Sequence, residues 1–587
     1  MSEAIDAFGL VLIPALPLLM LLAWCVPWWR CRIECWTPWA ALPALLLALG
    51  GEIGATVRID WFLLGSVLEL TAINRVFLGF TALLWLGAGL YMRGYLAGDP
   101  RGGGFRILWL ATMSGNFGLI LSQDVASFYA AFALMTFSAY GLVIHNRDAE
   151  ALSAGRVYLA MALVGEALII AGLMLAASRS AAPLLPLLSD LPGAIAVSEW
   201  RDLTVACLLF GFGIKAGLPL LHMWLPLAHP VAPVPASAVL SGAMIKAGLL
   251  GWLSTLPLGL VALPQWGTTM IVLGLVAAFA GAGIGIQQHK AKTVLAYSSI
   301  SQMGLITVGV GAGLHHPAAW PLLAPAIALY ALHHGLAKGA LFLGVGLTAH
   351  RHGAHRRWLW LALALPGVAL AGPMLSGAVA KLALKGAIEA DTLPGMARLP
   401  DWWAWLPLAL SLAAVGTTLL VARYLWLLAH DRNTHTAHRD QWWGWGLVLA
   451  ASAVGVLLIP GSDALHILST HAYKLPELLW PALLGIALAM AAMNKLRPLP
   501  IPAGDVLYLL LPALRHAQGL PHAIDALARG GEHRLRARIL AWSRGHDKTD
   551  GRASRLEQGL RRNAGLIFGA LLAVALLAGA IGGVIQR

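Results

Sequence analysis

Apolar runs of roughly twenty residues recur along the whole chain, separated by short breaks rich in Arg, His, Asp, Pro and Gly. A helix of that length crosses the hydrocarbon core of a bilayer. The pattern predicts about sixteen spans on this length criterion. They lie near 8–28, 38–56, 75–96, 105–122, 124–145, 156–178, 201–222, 235–257, 263–287, 292–313, 320–348, 358–386, 403–429, 442–460, 477–494 and 564–584. The first run, Phe8 to Trp29, has acids before it and bases after it. It therefore reads as a retained span and not a cleaved leader. The predicted fold class is an all-α polytopic membrane protein with about 14–16 transmembrane helices.

The breaks alternate in charge. Loops after odd-numbered spans hold Arg30 and Arg32, then Arg93, Arg101 and Arg106, then Arg147 and Arg156. Lys290 and Lys292, Arg351, Arg356 and Arg357, Arg432 and Arg439, and Lys495 and Arg497 continue the series, while the loop after the seventh span carries only histidine. Loops after even-numbered spans are poor in bases, and acids such as Asp190, Glu199, Asp202, Glu389, Asp391 and Asp463 offset them. Cytoplasmic loops carry the excess of Lys and Arg. The alternation therefore predicts a multi-pass protein of a bacterial inner membrane with both termini on the periplasmic side.

Composition agrees. The 587 residues are 59% hydrophobic and 11% charged, against about 25% charged in soluble domains. A net charge of +13 would suggest nucleic acid in a soluble protein. Here the basic residues lie between spans, where they set topology and meet anionic lipid. The cysteines, Cys25, Cys31, Cys35 and Cys207, show no CxxC spacing, which argues against an iron–sulfur or zinc site. No GxGxxG fingerprint follows a strand. The expectation is a chain with no cofactor of its own.

Six regions follow: N-terminal helices in 1–100, two repeats in 101–260 and 261–430, further helices in 431–494, a cytoplasmic amphipathic segment in 495–563 and a last span in 564–587. In the amphipathic segment, Leu535, Ile539 and Trp542 recur at helical spacing while Arg534, Arg536 and Arg538 take other faces, a pattern that suits a membrane surface.

Charges at bilayer depth cost at least about 2.5–3.5 kcal/mol each on insertion scales and mark function. Glu166, Lys215, Lys246, Lys338 and Lys381 sit deep in apolar runs, with His333 and His334 beside Lys338 and with Lys385 one turn beyond Lys381. The seventh span reads GFGIKAGLPLLHMWLP, so Gly217 and Pro219 follow Lys215. In the twelfth, Pro366, Gly367, Gly372 and Pro373 precede Lys381. Proline removes a donor and breaks a helix. A broken helix at membrane depth must line a cavity or be covered by protein. Two such breaks, each with a lysine, suggest two structural repeats. Burial disfavours a charged lysine and a nearby carboxylate favours it. Lysines of this kind, with histidine and water, suit a proton relay.

Three segments carry a family resemblance: GFGIKAGLPLLHMWLPLAHPVAPVPASAVLSGAMIKAGLLGWL at 211–253, HKAKTVLAYSSISQMGLI at 289–306, and HHGLAKGALFLGVG at 333–346. The chain resembles, over roughly residues 70–430, the antiporter-like proton-conducting subunits of respiratory complex I, membrane-bound hydrogenases and multisubunit cation/proton antiporters. Within that family it is most similar to the hydrogenase-4 component B and formate-hydrogenlyase type. The resemblance implies that Lys215 is the lysine of the broken seventh helix and Lys246 the connecting lysine of the eighth. It implies that His334 and Lys338 are the central relay, and that Lys381 is the terminal residue through which protons leave.

Two positions depart from the family pattern. The fifth helix reads FYAAFALM, with Ala133 where the family has a glutamate that pairs with the seventh-helix lysine. Three options follow: a non-pumping paralogue, a carboxylate supplied by a partner subunit, or, the favoured one, Glu166 in LVGEAL of the sixth helix as the substitute. Leu227, in WLPLAHP, stands where relatives often have an acid. Three functions fit. The first is the proton-translocating subunit of a redox complex whose partners, including a soluble peripheral module, hold the redox groups. The second is a membrane subunit of a gradient-driven transporter, either a cation/proton antiporter or proton-coupled inorganic-carbon uptake. The third is a scaffold that moves nothing, against which the retained lysines argue.

Overall fold

A computed structural model of the chain describes residues 2–504 apart from 64, 181–185, 348–354, 390–399, 431–436, 461–465, 468–469, 471–473, 494–498 and 500. The last span and the expected amphipathic segment, apart from 499 and 501–504, therefore lie outside the described residues. Among those described, fourteen helices or helix pairs are long and apolar enough to cross a membrane. They account for the other predicted spans except the seventh, which is broken and shorter.

In chain order the helices are α1 (Ser2–Cys25), α2 (Arg30–Trp36) and α3 (Leu42–Gly50), then, after a hairpin, α4 (Ala72–Tyr95), α5 (Gly102–Leu121), α6 (Val125–Val143) and α7 (Ala149–Ala177). A short α8 (Leu191–Ala196) precedes α9 (Arg201–Ala216) and α10 (Trp224–Val231), the halves of the seventh span. The eighth comprises α11 (Val234–Val239), a π-helical turn at Leu240–Met244 and α12 (Lys246–Thr255). Then come α13 (Pro264–Ile286), α14 (Ala291–His315) and α15 (Trp320–Val345), followed by α16 (His355–Ala371) and α17 (Leu375–Ile388), the halves of the twelfth span. The last described are α18 (Leu406–His430), α19 (Arg439–Leu458) and α20 (Leu475–Ala492).

The second span differs from expectation. It runs as short helical pieces over Pro27–Gly50. Residues beyond it form an antiparallel hairpin of β1 (Thr56–Ile59) and β2 (Ser66–Glu69). The hairpin is tied to α6 by Asp124, whose carboxylate accepts from Val67 N at 2.8 Å and caps the helix through Ser127 N at 2.7 Å. A buried carboxylate needs such donors.

The breaks are set by glycine. Gly217, at φ 84°, ends α9, and the amides of Gly217 and Leu218 both return to Gly213 O at 2.9 Å, a left-handed cap that satisfies the helix end. Leu220, at φ 68°, completes the turn. In the twelfth span Gly372, at φ 115°, makes the break. Pro366 and Gly367 do not: Pro366 lies inside α16.

The loops sort onto two faces, as the charge alternation predicts. On one, Arg101 donates to Asn146 O at 2.8 Å, His145 pairs with Asp99 at 2.8 Å, Lys290 with Glu150 at 2.5 Å and Arg93 with Asp440 at 3.6 Å. These are loops after odd-numbered spans. Burial by itself would raise Asp99, but the hydrogen bonds and charges of His145 and Arg101 hold it below the usual carboxylate range. On the other face, Leu188 N donates to Gln123 O at 2.7 Å, Trp266 to Asp202 at 3.0 Å and Lys474 to Glu389 at 2.7 Å.

At the centre, the most apolar windows of α14 and α15 are wholly buried by their neighbours. Backbones approach closely there because small residues face each other. A Cβ on Gly304 of α14 would stand 2.4 Å from Gly274 O and 2.8 Å from Ala278 N of α13. Neither backbone atom can swing away, so Gly304→Val is expected to cost more than the usual 1–3 kcal/mol of overpacking, roughly. The check is thermal unfolding of the purified protein. Gly283→Val, on α13 with nothing within 4 Å of its Cβ, is the control and should leave the midpoint in place.

Candidate functional site: a line of buried lysines

Lys215 is the penultimate residue of α9, just before the break, and is buried. Its ammonium donates to Thr136 Oγ1 at 3.2 Å and Tyr158 OH at 3.4 Å. It lies over the rings of Phe132, Tyr158 and Trp224 at 5.8, 5.6 and 6.0 Å, an arrangement that stabilises a desolvated cation. Trp224 is fixed by its indole donating to Ile214 O at 2.7 Å, across the break. Glu166, on α7, lines the same cavity of about 20 Å³, room for a single water. Among the described residues its two carboxylate oxygens have no hydrogen-bond partner, and no ion pair joins it directly to Lys215. Ala133, half-buried on α6, lies one turn before Thr136.

Lys246 opens α12 directly after the π-helical turn. Widened turns of this kind loosen the regular ladder and cluster at functional sites. The Lys246 ammonium takes Ser241 O at 2.7 Å. The hydroxyl of the same Ser241 meets Ser299 Oγ of α14 at 2.7 Å, and Ser299 Oγ donates to Leu295 O at 3.0 Å. Leu295 O also receives the ammonium of Lys338 at 3.0 Å. Two lysines on different helices are thus joined through one pair of serines, all of it buried.

His334, one turn before Lys338, is fully buried, and neither ring nitrogen has a hydrogen-bond partner among the described residues. His333 Nδ1 meets Ser376 Oγ of α17 at 2.9 Å, and Ser376 donates to Ser452 O at 2.7 Å. Lys381, further along α17, donates to Ala371 O at 2.7 Å. That carbonyl ends α16, where a positive charge suits the helix dipole. Lys381 shares a cavity of about 30 Å³ with Tyr330, Ser411 and Lys385. Lys385 meets Glu477 at 2.5 Å and Glu389 at 3.7 Å. With Lys474 these acids line a larger cavity of about 550 Å³ toward the face of the even-numbered loops.

The structure therefore brings Glu166 to Lys215, joins Lys246 to Lys338, and sets His333 against the helix that bears Lys381. No hydrogen bond links Lys215 to Lys246 among the described residues. The partners Thr136, Tyr158, Trp224, Ser241 and Ser299 are not predicted by the sequence. The two serines do lie inside the motif segments, one in VLSGAMIK and the other in AYSSIS. Their pairing across 58 residues leaves no periodic signal.

The family model described as "NADH:quinone oxidoreductase/Mrp antiporter, TM" matches residues 122–378, a stretch that holds Glu166, Lys215, Lys246, His333, His334 and Lys338. Hydrogenase-4 component B of Escherichia coli (strain K12) is 30% identical over 54% of this chain and 46% of its own length. Formate hydrogenlyase subunit 3 of the same organism is 39% identical over 25% of each chain. The chain spans about half the length, or less, of these curated relatives. Among solved structures, the Mrp complex from Dietzia sp. DQ12-45-1b contains a chain of the same fold. Its TM-score is 0.63 at 19% identity, over 82% of this chain and 100% of that one.

Proposed function

We propose that this chain is an antiporter-like membrane subunit of the NADH:quinone oxidoreductase/Mrp antiporter kind that it resembles, and that it carries protons between the two loop faces. The path runs by Glu166 and Lys215, Lys246, Lys338 with His333 and His334, and Lys381, with Lys385 at its mouth. The observation that supports this best is the Lys246–Ser241–Ser299–Leu295–Lys338 connection. Each ammonium rests on a neutral carbonyl and not on a carboxylate. A lysine so placed is costly when charged, and a small change in its surroundings shifts its proton equilibrium. The two serine hydroxyls, bonded to each other and to Leu295 O, hold together the segments whose backbone carbonyls receive the two ammoniums.

The excess of basic residues on the odd-numbered loops supports a cytoplasmic side there and an inner-membrane location. The two broken helices, one broken just after Lys215 and one just before the helix of Lys381, support two repeats that share one design.

The same reading makes the chain one subunit of a redox-driven complex with further membrane subunits and a soluble peripheral module. The neutral Ala133 favours a second reading, a transporter driven by an ion gradient without redox chemistry. Purification from native membranes with identification of the co-purifying subunits separates them. Hydrogenase or dehydrogenase subunits support the first, and small membrane subunits alone support the second. In either case the purified complex in vesicles should acidify or alkalinise the lumen when energised. A complex that does so at the same rate without this chain overturns both.

A further inference from the structure

The first two spans meet on the odd-loop face in a stretch that the relay does not use, where every residue from Cys25 to Arg32 is exposed. From there the second span runs inward with two unlike faces. Its packed face is made of small residues and lies on α4: a Cβ on Gly89 would stand 2.9 Å from Pro38 Cα, and one on Gly79 3.5 Å from Ala48 Cβ. Helices associate in a membrane through such small residues, and here that face is already taken. The other face exposes Arg32, Trp36, Trp39 and Leu46, with Trp36 62% and Leu46 61% accessible. These are large side chains, unsuited to close approach of another helix. Two arginines crown the stripe. Arg30 donates from Nε to Trp24 O at 3.2 Å and lies over the Trp24 ring at 5.0 Å, and Arg32 lies over the Trp29 ring at 5.5 Å. A guanidinium supported by an indole keeps its fork of N–H groups for an anion. Neither arginine pairs with a carboxylate among the described residues, and Glu34 is taken by Arg106 at 3.4 Å. Arg93 and Lys290 on the same face do have acids, Asp440 and Glu150. The order of groups along the stripe is also informative. At 1.5 Å per residue, Trp36, Trp39 and Leu46 lie about 6, 10 and 21 Å further in than Arg32. One leaflet is about 20 Å deep, half of a whole bilayer. Cation, indoles and alkyl group thus follow one another over the depth of a single leaflet.

We infer that this stripe is a binding site for an anionic phospholipid in the leaflet of the odd-loop face. Arg30 and Arg32 take the phosphate, Trp36 and Trp39 lie along the ester region, where indoles are favoured, and Leu46 meets the acyl chain. A zwitterionic lipid brings its own cation to the phosphate. An anionic one does not, and so complements two arginines that have no acid of their own. The site stands apart from the line of lysines, whatever that line carries.

The test uses the full chain in its native complex, reconstituted in phosphatidylcholine vesicles into which phosphatidylglycerol with brominated acyl chains is titrated. Bromine quenches the fluorescence of an indole that it touches. The chain has 24 tryptophans, so the signal of Trp36 is read as the difference between matched preparations with and without Trp36→Phe. Brominated phosphatidylcholine in the same vesicles measures contact with any lipid. Trp36 should be half-quenched at a roughly 30-fold lower share of the brominated phosphatidylglycerol than of the brominated phosphatidylcholine, about fivefold for each arginine near an anionic lipid. With Arg30→Gln and Arg32→Gln together the two curves should coincide, and quenching by phosphatidylcholine should be unchanged, which shows that the exposed stripe is still formed. Arg58→Gln, an exposed arginine of the hairpin on the opposite face, should keep the preference. Equal quenching by the two lipids in the wild type, or a preference that survives the loss of both arginines, overturns the site. Quenching of Trp36 by neither lipid also overturns it and assigns the stripe to another subunit.

Discussion

Lys338→Ala is expected to reduce proton translocation by roughly two to four orders of magnitude, the range that a positioned acid–base group contributes, and to leave the protein as stable as before. The two halves of this expectation come from the same contacts. Lys338 is fully buried on α15 and its ammonium has one partner among the described residues, Leu295 O. Removing one member of a buried ion pair is destabilising because the other charge stays behind, but here nothing charged is left. Leu295 O keeps Ser299 Oγ as a donor at 3.0 Å, so the carbonyl is not orphaned. The variant instead removes the cost of holding an ionisable group at bilayer depth. A loss of transport with unchanged assembly and melting temperature is the expected pair of results. Dye quenching in energised vesicles and thermal unfolding of the same preparation measure them. Transport within twofold of wild type would remove Lys338 from the path. Transport lost together with assembly would make it a structural residue.

The legibility of this chain follows from contrast. Lysines in long apolar runs stand out in sequence, and Lys215, Lys246, Lys338 and Lys381 are all buried in the bundle. The spans are legible for the same reason, as is the sorting of loops onto two faces. What is hidden depends on distance along the chain or on short-range geometry. The strands Thr56–Ile59 and Ser66–Glu69 are four residues each and flanked by apolar residues, so period-two alternation has no length over which to show. Proline is an ambiguous marker: Pro366 stays within α16 while Gly372 makes the turn, because a lost amide can be tolerated in a membrane helix whereas positive φ is a demand only glycine meets easily. Thr136 and Lys215 are 79 residues apart. Nothing local marks that threonine as a lysine's partner. His229 lies in a segment that the sequence places in a loop, and only the fold turns it inward, against α15.

Moving the acid is the sharper test of how Lys215 is controlled. Glu166→Gln keeps the shape of the side chain and removes its charge. Lys215 would then keep Thr136 and Tyr158 as hydrogen-bond partners and the three aromatic faces, so its position should hold. What it would lose is the carboxylate across a one-water cavity, the only acid among the described residues that line that space. Transport is expected to fall by about 100-fold, as for loss of a positioned acid–base group. Ala133 offers the reverse experiment. It lies on α6 next to Phe132 and one turn before Thr136, the two α6 residues that touch the Lys215 ammonium. A glutamate there can approach the same ammonium from the neighbouring helix. Ala133→Glu combined with Glu166→Gln should therefore recover transport to within about tenfold of wild type, the acid being again beside Lys215 though not at its native distance. The single variant Ala133→Glu, with two carboxylates against one lysine, should be slower than wild type, because like charges sharing a site favour protonation of one of them. Initial proton-uptake rates of the three variants in one vesicle assay decide the matter. Recovery in the double variant with loss in Glu166→Gln makes Glu166 the functional replacement for the absent fifth-helix acid. Full activity of Glu166→Gln would show that Lys215 works without a carboxylate, and the thr–tyr–aromatic cage around it would then be the whole of its control.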